Sequence, residues 1–94
     1  MEEKQYVVVR TVNAGVHVGV LGPKNGEELT LTEARRIWYW KGANTLHEIA
    51  LHGIDKKGSK VSEEIDRIEL RGWIEILPCA EEAEQVLRGA AWTK

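Results

Sequence analysis

Two stretches of alternating valine, separated by a tight turn, commit the start of the chain to an antiparallel sheet. From Gln5 to Val12, Val7 and Val9 share one face, and Tyr6, Val8, Arg10 and Val12 share the other. That is the period of two of a strand. Asn13-Ala14-Gly15 makes a turn in which Gly15 is free to take positive φ. The return strand, Val16 to Leu21, sets Val16, Val18 and Val20 against His17 and Gly19. A glycine in mid-strand marks a bulge or the close approach of another group, and Gly19 is such a site.

The rest of the chain extends this pattern and adds helices. Gly22-Pro23-Lys24-Asn25-Gly26 is the strongest turn signal, because Asn-Gly favours a type I′ hairpin. Glu28 to Thr32 is predicted as a third strand with Leu29 and Leu31 inward, and Arg35 to Lys41 as a fourth. Alternation in the fourth puts Arg36, Trp38 and Trp40 on one face and Arg35, Ile37 and Tyr39 on the other. Thr45-Leu46-His47-Glu48 fits a capping box and opens a short helix to about His52, which Gly53 can end. Asp55 to Lys60 reads as a charged loop. Ile65 to Leu70 and Trp73 to Leu77 read as strands flanking Arg71-Gly72. Glu81 to Gly89 reads as a helix whose acidic first turn suits the macrodipole. Trp92 lies beyond it and is expected to fold back onto the sheet. The order β-β-β-β-α-β-β-α predicts an α+β fold in a single domain, 1–94. Its sheet is an antiparallel β-meander of about five to six strands with two short helices.

Composition excludes several functions. The formal charge is -2, with both signs interspersed, whereas general nucleic-acid binders carry a basic excess. The one cysteine, Cys79, allows no intramolecular disulfide and makes no metal-ligand spacing with His17, His47 or His52. The acidic start and the lack of any apolar run of about 20 residues argue against a secretory signal and a membrane span. No nucleophile-and-base set can be assembled, so neither catalysis, metal nor cofactor is expected, and a reducing cytosol suits the chain.

One run points to binding. Arg35-Arg36-Ile37-Trp38-Tyr39-Trp40-Lys41-Gly42 holds half of the six aromatics, and the chain has no Phe. Trp and Tyr suit partly wet sites, and Arg beside Trp suits a stacked base and a paired phosphate. The candidate ligand set has Trp38 and Trp40 stacking a purine, and Arg35, Arg36 and Lys41 holding phosphates. Arg10, Asn13 and His17 would read polar edges. The alternative makes one face core and the other a subunit seam with the arginines at its rim. Gly42-Ala43-Asn44-Thr45 is either a phosphate seat or an ordinary helix cap. A chain this short buries a thin core, so a homo-oligomer is expected.

The same residues carry a resemblance. Tyr6-Val7-Val8-Val9-Arg10-Thr11, Ala14-Gly15-Val16 with Gly19, and Ala34-Arg35-Arg36-Ile37-Trp38-Tyr39-Trp40 resemble a family of small, uncharacterised phage-encoded proteins. Gly42-Ala43, Glu75-Ile76-Leu77-Pro78-Cys79 and Trp92 extend it over most of the chain, and Arg-Arg-Ile-Trp-Tyr-Trp is its most specific part. The resemblance implies a phage origin and the cytoplasm of an infected bacterium, and it carries no activity to transfer. Size, lack of a catalytic motif and expected oligomerisation further suggest an anti-defence sponge that sequesters a small nucleotide-derived immune signal. The alternatives are a protein-interaction module inhibiting a host defence effector, with the aromatics as its hot spot, or a structural or accessory phage protein.

Overall fold

In the computed structural model, which describes residues 4–90, the two valine stretches pair as expected. β1 (Tyr6–Thr11) and β2 (Val16–Asn25) form an antiparallel hairpin with Val8 opposite Val18 and Val9 opposite His17. The hydroxyl of Thr11 holds the turn, donating to the Gly15 carbonyl at 3.0 Å and accepting from the Ala14 N–H at 2.8 Å. Gly15 has φ 84°, the left-handed conformation that the missing Cβ makes accessible.

Beyond this hairpin the strands are divided differently from what local patterns suggest. β2 continues through Gly22 and Pro23 to Asn25, so the turn itself is confined to Gly26 and Glu27. Gly22 and Pro23 lie between the pairs Leu21–Leu31 and Lys24–Leu29, where the register slips. At such a bulge the missing N–H of proline breaks no ladder bond. β3 (Glu28–Tyr39) is one strand of 12 residues where two were predicted. The break expected near Glu33 is a bulge. The flanking pairs Val20–Thr32 and Val18–Arg35 leave Gly19 facing both Glu33 and Ala34. Glu33 takes φ 50° there, and a Cβ on Gly19 would lie 2.8 Å from the Thr32 carbonyl oxygen. The extra residue inverts the alternation. Leu29, Leu31 and then Ala34 point into one core, whereas Ile37 points into the other.

The remaining elements are α1 (Leu46–His52), β4 (Lys60–Val61), β5 (Ile65–Arg71), β6 (Trp73–Pro78) and α2 (Glu81–Gly89). The fold is α+β: the described residues form six antiparallel strands in one sheet and two helices. Its strand order departs from a simple meander. β4 and β5 both pair with β3, at its end and its start, and β6 pairs with β1. β4 was expected as loop.

Consecutive β5 and β6 therefore sit on opposite sides of the β3–β2–β1 path, joined at Gly72, and the sheet curls to allow it. Gly72 fastens the join, donating to the Glu27 carbonyl at 2.8 Å and accepting from the Val12 N–H at 3.0 Å. The inner face buries Val7, Val9, Leu29, Leu31, Ala34 and Leu70. The outer face, under the helices, buries Tyr6, Val8, Val18, Val20, Ile37, Ile49 and Leu87 among others. A fully buried side chain of this type contributes about 1.5–3 kcal/mol. Trp92 lies outside the described residues. No helix among the described residues is long and apolar enough to cross a membrane.

Candidate functional site

The bulge at Glu33 gives the two neighbouring arginines opposite surroundings. Arg35 turns toward the helices and is 5% exposed. Its Nε donates to the Ser62 carbonyl at 2.9 Å, and its Nη1 donates to the carbonyls of Leu87 at 2.9 Å and Arg88 at 3.3 Å. These last two carbonyls end α2, where no intrahelical donor remains and a cation is favoured. Arg35 therefore caps a helix and ties it to β3, and its guanidinium is committed to that task instead of to a phosphate.

Four more of the sequence-derived candidates are not gathered around Arg36. The register of β3 slips between Ile37 and Tyr39, so Trp40 leaves the face of Arg36 and Trp38. It packs, partly buried, on the outer core with Leu46 and Ala43 among its fellow residues. Lys41 anchors the loop before α1, its N–H donating to Ser59 Oγ at 2.9 Å and its carbonyl accepting from Asp55 N–H at 2.9 Å. Arg10 pairs with Val16 while Val9 pairs with His17, so Arg10 and His17 occupy opposite faces of the hairpin. Arg10 instead lies 3.7 Å from the Glu75 carboxylate. Asn13 is exposed in the first turn. The loop before α1 is an ordinary cap: Thr45 Oγ1 accepts from Glu48 N–H at 3.2 Å, and Glu48 Oε2 accepts from Asn44 N–H at 3.1 Å.

His17 and Arg36 do come together. They are direct cross-strand partners on β2 and β3, which puts their Cβ atoms about 5 Å apart. The Arg36 guanidinium is exposed and lies over Gly15, whose Cβ, if present, would be 3.1 Å from Nη2. Among the described residues this guanidinium has no ion pair and no hydrogen bond. His17 is 4% exposed, and its Nε2 is 2.9 Å from the Ala14 carbonyl. Burial holds the imidazole below the usual histidine pKa, the Ala14 hydrogen bond opposes this, and Arg36 adds repulsion. Both residues line a pocket of about 300 Å³ together with Ala34, Arg35, Ser62, Glu63, Ile65 and Ile68. Its volume is at the lower end of those that take small ligands, and its walls combine apolar side chains with a few polar groups.

Trp38 stands two residues along β3 from Arg36, ~7 Å away by strand geometry. It is 48% exposed, with the Lys60 ammonium 5.0 Å from the ring centroid. Trp38 does not line the pocket but borders it along the strand.

A larger depression of about 540 Å³ lies among Pro23, Asn25, Glu28, Thr30, Glu69 and Arg71. Its charges are mutually engaged: Arg71 approaches Glu28 at 3.8 Å and Glu69 pairs with Arg67 at 3.1 Å. It offers no unpaired cation and no buried polar side chain, and the smaller pocket is the better candidate. Elsewhere, burial first and Glu84 second push the Cys79 thiol up to about 12, which keeps it protonated and unreactive. Among the described residues no cluster of three or more His, Cys, Asp or Glu could hold a metal ion.

The residues that sequence reasoning missed are Lys60, Ser62, Ile65 and Ile68. They reach the site because β4 and β5 both pair with β3, and no local pattern encodes that pairing.

The family described as Domain of unknown function (DUF6948) matches the chain over residues 4–87. No curated protein and no solved structure is significantly similar to the chain.

Proposed function

The chain belongs to the DUF6948 family, and from that premise we propose that it is a non-enzymatic binding protein for a small anionic ligand bearing a flat ring, of the nucleotide class. One observation carries this reading: an exposed Arg36, unpaired among the described residues, stands beside buried His17 at an apolar-walled pocket, with Trp38 two residues on along the strand. Arg36 supplies a forked, permanently charged donor for a phosphate. Trp38 with Lys60 offers a ring face and a second cation at stacking distance. Glu63 adds a negative charge to the lining, which disfavours large polyanions and suits a ligand of low charge. The acidic chain as a whole also disfavours bulk nucleic acid.

The sequence resemblance to small phage proteins supports placing this binding in anti-defence. The chain then acts as a sponge that withdraws a nucleotide-derived immune signal in the host cytoplasm, as a homo-oligomer. Native mass spectrometry with cyclic dinucleotides, cyclic trinucleotides and ADP-ribose tests this and reports subunit number. The expected result is one nucleotide species held at fixed stoichiometry and lost in Arg36→Ala. No retention of any member of the panel would overturn the sponge.

A second reading is favoured by the exposure of Ile65, which lines the pocket, and of Trp38 and Tyr39 at the end of β3, at 46%, 48% and 47%. Such side chains make protein hot spots. That reading expects a stable complex with a host effector and no retained nucleotide.

A further inference from the structure

We propose that the pocket selects its ligand by a hydrogen-bond donor as well as by charge: His17 Nδ1 accepts an N–H from the edge of a nucleobase while Arg36 holds the phosphate of the same molecule. This rests on the reading of the pocket given above and specifies what its uncharged wall recognises.

The Ala14 carbonyl lies 2.9 Å from His17 Nε2. A carbonyl oxygen can only accept, so Nε2 carries a proton, and in a neutral imidazole Nδ1 is then an acceptor. The neighbours favour the neutral ring. Arg36 stands directly across on β3, Arg35 lines the pocket but carries its guanidinium to the helix side, and among the described lining residues Glu63 alone is a carboxylate.

The ring is also fixed in place. Ala14 is held by the Thr11 hydroxyl, so the imidazole is tethered to a braced turn. Nδ1 has no protein partner among the described residues and is not one of their fully buried unsatisfied atoms, so it stays accessible although His17 as a whole is 4% exposed. A bound molecule that brings a donor takes the place of water at this acceptor. The ionised oxygens of a phosphate monoester cannot do this, because they too only accept. A dianionic phosphate monoester at Arg36 brings Nδ1 no donor from its phosphate, whereas an amino or ring N–H beside that phosphate serves both. Ile65 and Ile68 supply apolar wall for the ring that carries the donor.

The test compares adenosine 5′-monophosphate with ribose 5-phosphate, which share the phosphate and differ in the base. Imidazole ¹⁵N resonances are followed in titrations of the full chain, and affinities are measured from pH 7.5 down to pH 5. The expected result is at least tenfold tighter binding of the nucleotide at pH 7.5, with a shift at Nδ1 that ribose 5-phosphate does not cause. The ratio of the two affinities should shrink on acidification, because a protonated His17 donates at Nδ1. Phosphate ionisation, common to both ligands, cancels in that ratio. His17→Gln, which keeps one donor and one acceptor, should retain part of the preference, and His17→Leu should abolish it. Equal affinities with Nδ1 unmoved would overturn the role of His17 while leaving the anion site standing. Failure of both ligands to bind would overturn the pocket as well. Because the Nδ1 shift and the pH ratio are read on the unsubstituted protein, the inference stays decidable even if His17→Leu does not fold.

Discussion

Arg35 and Arg36 are adjacent in sequence and belong to two different kinds of surface. On the helix-covered side, polar groups are consumed by packing: Arg35 caps α2, and Trp40 lies against the α1 side of the core. Arg88 there bridges Glu33 at 2.8 Å and Glu84 at 2.7 Å, with its guanidinium 4.6 Å from the Tyr6 ring centroid. On the other side, Arg36 has no partner among the described residues, His17 has one ring nitrogen to spare, and Trp38 is half exposed. One inserted residue at Glu33 sorts the side chains between these sides. The contrast separates a residue type that stabilises from the same residue type left available to bind.

The largest effect should come from breaking the packed side. Arg35→Ala leaves the carbonyls of Ser62, Leu87 and Arg88 without their donor. Hydrogen bonds to a charged group contribute about 1.5–3 kcal/mol each and are not additive, so a loss of about 3 kcal/mol or more is expected in urea unfolding. Arg36→Ala should change stability by less than about 0.5 kcal/mol, as for an exposed side chain without such contacts.

Gly15→Ala probes the junction between turn and site. A Cβ at φ 84° costs about 1–2 kcal/mol. It would also press on the Arg36 guanidinium, so both unfolding free energy and nucleotide affinity should fall together.

Acidification sharpens the comparison differently. Burial makes folded His17 harder to protonate than its unfolded counterpart. Below about pH 6.5 the unfolded chain takes up that proton first, so stability should decline as pH falls from there. Glu33 is held low chiefly by its hydrogen bond from Arg88, so its stabilising contribution is present above the ordinary carboxylate pKa and lost as pH falls through the lower folded value. His17→Gln should therefore flatten the upper part of the pH–stability profile and leave the lower part, due to Glu33, in place.

A small effect is expected at Tyr6, whose hydroxyl is buried without a hydrogen-bond partner among the described residues. Tyr6→Phe removes that unsatisfied group, so thermal unfolding should show unchanged or slightly higher stability, within about 1 kcal/mol.

The N-terminal hairpin and both helices were legible because their signals are local. Valine alternates over single strands, Gly15 sits where φ must be positive, and Thr45 caps α1 as its spacing implies, although Glu48 reaches back to the N–H of Asn44 and not to that of Thr45. The α+β class followed from these elements. Pairing was not legible. Nothing near Lys60 or Ile65 states that both β4 and β5 will lie on β3, so the pocket walls Ser62, Ile65 and Ile68 escaped notice. The division of the Arg-Trp run failed for a related reason. Strict alternation assigned Trp40 to the face of Arg36, but the slip after Ile37 moved it. The bulge at Glu33 breaks the alternation, and in a sequence such a break looks the same as the end of a strand. Gly19, opposite it, carried the correct hint, because only a residue without Cβ fits beneath the Thr32 carbonyl.

The most direct measurement is an amide chemical-shift titration of the protein and of Arg36→Ala with adenosine 5′-monophosphate. The expected result is perturbation at Gly15, His17, Arg36, Trp38, Ser62 and Ile65 in the unsubstituted chain, with saturation weakened at least tenfold in the variant. Perturbations gathered instead around Pro23, Glu69 and Arg71, or a variant that binds as tightly as the parent, would contradict the assignment of Arg36 to the open, ligand-binding side.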